Sequence, residues 1–396
     1  MRVATRCKDL ITNAGVYLVS KIIGRSRNTV IFGAWMGEKF ADNSRYLFQY
    51  LASHKEEYGL KNVVWATRKE SVQKLLHEMG YQCVLIGTKE SFYWHCKAGI
   101  HVICNMTDGG DQYDSDIDIS LSAGAKKVQL WHGNGIKCVP GGKRENSRIK
   151  SVMRRISAKG LWDVANYYFL CKNDLDVKFF EQKFGTIPEQ CIDGAYPRTC
   201  KCEQYTTAEK DVLELLDQYN KVILYLPTFR AKYDAFIPPL SDKRVIEFIE
   251  KENILWIEKP HAADKQSSSV SKVKSHNVLS LDSTFDINVL MPYIDLLVTD
   301  YSSAMLDALF FKKQVVYYVP DYDYYINDDR GFLVDYDSVC ISDKIQKISD
   351  LVPGIIDALS KKEYGEKENK IRKLFWKHDN WSCGDIWSAI VSKIDA

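Results

Sequence analysis

The chain has 396 residues, 45% of them hydrophobic and 27% charged, with a formal net charge of +2. That length exceeds one ordinary core and predicts about two domains of a globular protein. The near-balanced charge excludes a chain built as a whole to bind nucleic acid, and the 11 cysteines are odd in number, scattered, and without a CxxC pair. Reduced core thiols, and with them a cytoplasmic setting, are the expectation.

The N-terminus carries Arg2, Arg6 and Lys8 ahead of an apolar stretch that Thr12-Asn13 and Ser20-Lys21 interrupt, so it reads neither as a signal peptide nor as a membrane span. Residues 8–25 are predicted to form an amphipathic helix with Leu10, Ile11, Ala14, Tyr17, Leu18 and Ile22 on one side. Packing of that side on the body of the protein is expected, with a membrane surface as the alternative.

From Thr29 onward strands and helices alternate. Strands are predicted at 30–35, 62–67, 82–87, 100–105, 127–133 and 167–171, with helices at 44–59, 70–80 and 173–184 and a further apolar run at 191–198. The polar run 201–210 reads as a link, placing the domain boundaries at 1–203, 204–380 and a returning segment 381–396. The second half repeats the pattern, with strands at 221–230, 254–261, 277–281, 295–300 and 314–319 and helices at 241–252, 285–292 and 303–311. Short buried strands alternating with helices predict an α/β fold of two Rossmann-like domains with parallel sheets and a cleft between them. In such sheets ligands sit beyond the carboxyl ends of the strands.

Chemistry-bearing residues fall at those ends. Trp131-His132-Gly133 follows a strand and precedes Lys137, and a histidine set among glycines is placed to take a proton from a hydroxyl. Pro227-Thr228-Phe229-Arg230 ends the next half's first strand with a fork suited to phosphate. Lys259-Pro260-His261 sets a cation and an imidazole on either side of a rigid residue. Thr299-Asp300-Tyr301-Ser302-Ser303 opens a helix that also carries Asp307, and a hydroxyl pair there both caps the helix and offers donors to a phosphate. Arg330 follows in an acidic loop with Asp323, Asp328 and Asp329. Together these predict a diphosphate site with His132 and His261 facing one pocket. Asp114, Asp116 and Asp118 form a DxDxD run in a polar loop that no strand frames, which argues against a metal there. The interval 143–159 sets seven cations against one anion, enough to hold an anionic surface or polymer if it is not simply a solvated face.

The order WHG…K, PTFR, KPH, TDYSS…D and DYDYYINDDRGFLVDY, together with GAWMGEKFADNSRYLF and GAYPR, resembles the CDP-glycerol glycerophosphotransferase family of teichoic acid primases and polymerases and their capsule-building relatives. The resemblance implies a GT-B fold with the acceptor side first, the CDP-alditol held by the second domain, and a final helix, 384–396, packing back on the first. It implies attack of an acceptor hydroxyl on the β-phosphorus of CDP-glycerol, with His132 as general base. His261, Arg230, Ser302 and Ser303 would hold the diphosphate, and Asp300 and Asp307 would orient them. Lys259, Thr299, Arg330, Gly133 and Lys137 join the implied substrate-binding set. No cofactor is implied, and Mg2+ has no ligand motif here. The implied partners are CDP-glycerol or CDP-ribitol, a lipid-linked or glycan acceptor and an anionic membrane surface, with a cytoplasmic, membrane-peripheral location. A homo-oligomer stays open. Asn134-Gly135-Ile136 and Ala262 depart from the commoner family residues, and the long N-terminal extension of the larger polymerases is not seen, so a primase or a single polymerase module is expected. An ordinary nucleotide-sugar transferase and a silent scaffold binding polymer through 143–159 are the competing readings.

Overall fold

A computed structural model describes residues 2–105, 115–133, 167–228, 237–259, 273–328, 332 and 334–395. Two compact units emerge, one formed by 1–132, 143–204 and 378–396, the other by 133–142 and 205–377. The α/β class stands, with one parallel sheet in each unit.

In the first unit β1 (Ser26–Phe32), β2 (Asn62–Thr67), β3 (Cys83–Leu85), β4 (Ala98–Ile103), β5 (Lys126–Gln129), β6 (Tyr167–Cys171) and β7 (Cys191–Asp193) are ordered 3-2-1-4-5-6-7. Every pairing is parallel, as in Val30 to Val63 and Ile31 to His101. Strands β4 and β6 are buried from end to end because both faces of the sheet are covered, which is why they read as unbroken apolar runs. The order reverses between β1 and β4, and that switch point is where an open sheet presents its binding crevice. The helix Cys383–Asp395 belongs to this unit, with Ile386, Trp387 and Ile390 buried.

The second unit repeats the plan with β8 (Lys221–Leu226), β9 (Ile254–Glu258), β10 (Val278–Ser280), β11 (Leu296–Thr299), β12 (Gln314–Tyr318) and β13 (Lys344–Ile345) in the order 10-9-8-11-12-13, again parallel. Its switch point lies between β8 and β11. The unit is entered through a capping box, Thr206 Oγ1 accepting from Glu209 N–H while the Glu209 carboxylate accepts from Thr206 N–H.

Some expectations shift. The helix expected at 285–292 is a single 3-10 turn, Ile287–Val289, because Asp286 captures the Asn288 N–H and Pro292 cannot extend a helix. The run 30–35 stops being strand at Phe32: the backbone turns left-handed at Trp35 and Met36, and Gly33 passes so close to the Asp116 carbonyl that a Cβ there would meet it at 2.3 Å. The N-terminal helix runs Arg2–Ile23 and packs through Val16, Val19 and Ile23 against Cys96, Leu121 and Ala123. Ile11, Tyr17, Leu18 and Ile22, expected on the packed side, are exposed, Ile22 by 86%. No described helix is long and apolar enough to cross a membrane. The basic run 143–159 lies outside the described residues.

Beneath that helix lies a polar knot. Arg25 donates to the carbonyls of His95, Leu121 and Ala123, and His95 donates from Nδ1 to the Ser91 carbonyl while Nε2 accepts the Asp118 N–H. A proton on Nε2 would confront that N–H, and burial holds the pKa of His95 down to about 4 and that of His101 well below its ordinary value. Unfolded imidazoles take up protons near pH 6.5, so the stability these groups contribute is full above that pH. It is lost as pH falls from about 6.5 toward 4, to the extent of about 3 kcal/mol for His95. Asp116, raised to about 6 by its burial, works in the opposite sense. The thermal midpoint of wild type should therefore drop more between pH 7 and pH 5 than that of His95→Gln, which keeps a donor and an acceptor but does not titrate. Equal drops would refute this reading.

Candidate active site

In the first unit the site grows at the carboxyl ends of β1, β4 and β5. After β5 the chain turns at Trp131, whose φ of 61° is rare for a non-glycine residue; its N–H donates to Gln129 Oε1 at 2.9 Å. This turn carries the half-buried His132 over the end of β4, where Nδ1 donates to the Cys104 carbonyl at 2.9 Å. With Nδ1 carrying its proton toward that carbonyl, Nε2 is the basic atom. Burial lowers the His132 pKa below the ordinary imidazole value, partly offset by the nearby Asp42 carboxylate, so the ring is neutral at pH 7 and able to accept a proton.

The loop is held from behind by residues that lie in the motifs GAWMGEKFADNSRYLF and GAYPR but were given no role there. Arg198 Nη1 donates to the His132 carbonyl at 2.6 Å and to Asp42 Oδ1 at 2.7 Å, and the ion pair is almost wholly buried. Asn43 completes the clamp, its amide donating to the Trp131 carbonyl at 2.8 Å while Oδ1 accepts the Arg198 N–H at 3.1 Å. Asp42 and Asn43 open the helix Asp42–Ser53, and Arg198 follows Pro197 in a 3-10 turn. A charged residue inside an otherwise apolar window was the available signal, since buried charges need partners.

Asp116 is also buried, and its carboxylate accepts N–H bonds from Met36, Cys104 and Asn105, each at 2.7 Å. It thereby ties the loop after β1 to the end of β4. Asp118 accepts from Ser120, so the aspartates of the DxDxD run that are described serve the backbone. Among the described residues no group of three or more His, Cys, Asp or Glu is placed to hold a metal ion.

In the second unit the turn after β11 is built on its switch point. Thr299 is buried with its hydroxyl donating to the Leu226 carbonyl at 2.6 Å, which spends it on joining β11 to β8. Both Asp300 carboxylate oxygens lie 2.9 Å from the Thr228 N–H, which donates to them, and the Asp300 carbonyl accepts the Tyr336 hydroxyl at 2.7 Å. Below the turn Tyr301 stacks on Tyr325 with centroids 3.7 Å apart, and Phe332 stacks on Tyr336 at 4.6 Å. Tyr325, Phe332 and Tyr336 thus form a floor beneath Tyr301 of the 300–303 turn, a role that their residue types did not reveal.

The expected capping is only partly as predicted. Ser303 sits at the cap position without a side-chain cap bond, and Ser302 Oγ accepts the Ala304 N–H at 3.4 Å instead. Both serines are half-buried, whereas Asp307, one turn along, is buried. Lys259 follows β9, and its ammonium donates to the Phe285 carbonyl at 2.5 Å. Gly133 follows His132, while Lys137, Arg230, His261 and Arg330 lie outside the described residues.

A family model described as CDP-Glycerol:Poly(glycerophosphate) glycerophosphotransferase matches residues 16–385. A teichoic acid poly(glycerol phosphate) polymerase of Bacillus spizizenii is 24% identical over 367 residues, covering 89% of each chain. The teichoic acid ribitol-phosphate polymerase TarK of Staphylococcus aureus is 26% identical over 272 residues, 65% of this chain and 50% of that protein, so only about half of its length is spanned. The solved structure of the wall teichoic acid polymerase TagF superimposes with a TM-score of 0.70 at 17% identity, covering 98% of this chain and 94% of that one, which shows a shared fold.

Proposed function

The chain belongs to the CDP-glycerol:poly(glycerophosphate) glycerophosphotransferase family, and from that membership we propose that it moves glycerol phosphate from CDP-glycerol to a hydroxyl of a teichoic-acid-type acceptor. The observation that carries the reading is the state of His132: Nδ1 is spent on the Cys104 carbonyl, the ring is neutral, and Nε2 is basic at the carboxyl edge of a parallel sheet. The acceptor hydroxyl gives its proton to Nε2 as its oxygen bonds the β-phosphorus. The bond from that phosphorus to the bridging oxygen breaks, and CMP leaves with the electron pair. The products are a phosphodiester and CMP.

Ser302 and Ser303 on the turn that Asp300 and Tyr336 hold, with Arg230, Lys259, His261 and Arg330, grip the diphosphate in this proposal and offset the charge of departing CMP. Asp307 supports that turn from the same helix, and Gly133 and Lys137 serve the acceptor. Support for the donor comes from TagF, a variant of which was solved after soaking with CDPG. A lipid-linked acceptor reached from an anionic membrane surface is the partner we assign. The apolar stripe Ile11, Leu18 and Ile22, left exposed on the N-terminal helix, suits a place at the inner face of a cell membrane.

CDP-ribitol is the second reading, because TarK and TarL of Staphylococcus aureus are ribitol-phosphate polymerases and the residues above address the CDP diphosphate more than the alditol. Incubation with each CDP-alditol and a set of lipid-linked glycerol-phosphate acceptors, read by CMP release and product mass, tests both. A mass increment of one or more glycerol phosphates is expected. Release of a nucleoside diphosphate, or a glycosidic product from a nucleotide sugar, would refute the proposal.

A further inference from the structure

Exposed tryptophans are uncommon, and Trp35 is exposed by 37% although it lies at the carboxyl end of the buried strand β1. The backbone that puts it there is strained. Trp35, Met36 and Gly37 have φ of 46°, 58° and 76°, three left-handed residues in a row, of which the two non-glycines cost on the order of 1–3 kcal/mol each. The neighbouring fold offsets that cost. The Met36 N–H donates to buried Asp116 at 2.7 Å, Arg68 Nε donates to the Met36 carbonyl at 3.1 Å, and the Gly37 carbonyl accepts from Thr67 Oγ1 and Arg68 N–H, each at 2.7 Å.

The result is an indole beside the proposed base. The Trp35 ring centroid is 5.6 Å from that of His132 at an interplanar angle of 54°, and the Lys39 ammonium is 5.3 Å from the Trp35 centroid. Trp131 stands 4.6 Å from the same imidazole but is buried. His132 therefore has one aromatic neighbour that is buried and one that is partly open to solvent. A ligand suited to the exposed face has apolar C–H edges for the indole, a negative group for Lys39 and a hydroxyl for Nε2. A polyol phosphate chain has all three.

We infer that Trp35 is the platform on which the acceptor's terminal polyol phosphate rests while its hydroxyl meets His132, with Lys39 drawing in the phosphate. This rests on the acceptor-side role given above to His132. Loss of the aromatic face in Trp35→Ala raises the acceptor KM about tenfold, while the donor KM stays within about twofold; Trp35→Phe, which keeps a ring, lies between wild type and Trp35→Ala. Thermal midpoints verify that both variants fold, and Trp35→Phe carries the test if Trp35→Ala does not. An acceptor KM unchanged in a folded variant, or donor and acceptor KM rising together, overturns the inference.

A wild-type protein that releases no CMP from either CDP-alditol would instead overturn the proposed reaction. The platform is then tested by calorimetric binding of a soluble glycerol-phosphate oligomer to wild type and to Trp35→Phe and Trp35→Ala. The same ordering of affinities supports it, and equal affinities overturn it.

Discussion

Replacing His132 with alanine lowers kcat for CMP release by a factor of about 10²–10⁴, the usual contribution of a positioned general base. The donor KM changes little, because the imidazole acts on the acceptor hydroxyl and not on the CDP group. The pH profile carries the sign. A base works when deprotonated, and burial places the His132 pKa below the ordinary imidazole value, so wild-type kcat/KM falls on the acid side with a midpoint below pH 6.5. In the variant that limb is gone and the residual rate is flat across the same interval. Retention of both the rate and the limb would remove His132 from the chemistry.

The second large effect is expected at Arg198. Arg198→Met leaves the Asp42 carboxylate buried without its partner, and breaking a pair of this kind costs about 3–5 kcal/mol. For a unit of this size that lowers the thermal midpoint on the order of 10 °C. The fork also holds the His132 carbonyl, so kcat falls further than the loss of folded protein explains. The double variant Asp42→Asn with Arg198→Met removes the orphaned charge and recovers much of the stability, but it cannot restore the bond to the loop. Recovery of kcat in step with the midpoint would mean that Arg198 only stabilises and does not position.

Much of the architecture was open to reading because parallel strands covered on both faces must be apolar throughout. The runs at 62–67 and 167–171 coincide with β2 and β6 for that reason. Ends were harder. The strand expected through Trp35 stops at Phe32 because the chain turns left-handed at Trp35 and Met36, and the 285–292 segment has helical spacing but a capping aspartate and a proline that allow only one turn. The helix Lys89–Lys97 went unread because its ring-rich segment, KESFYWHCK, has no clean apolar stripe, and only two of its larger side chains, His95 and Cys96, are buried.

The candidate site divides along the same line. Residue type and position after a strand nominated His132, Asp300, Ser302 and Ser303 as candidates, and the motif order was enough for the family. Partnership was not legible. Asp42 and Arg198 are 156 positions apart, and His132 reaches back 28 positions to the Cys104 carbonyl. Thr299 reads as a candidate donor to substrate until its hydroxyl is found on Leu226, and Trp35 reads as a strand residue until its φ turns positive.

By itself, the order of residues determined the alternation of strands and helices, the parallel sheets that follow from it, and the chemical types set at their carboxyl ends. Those are consequences of local spacing and of which side chains avoid water. Tertiary structure alone decided which buried charge meets which, which imidazole nitrogen keeps its proton and which tryptophan stays in solvent. Each of those depends on a bond or a contact between segments far apart in the chain, and such a choice is made only when the sheet order brings their ends together.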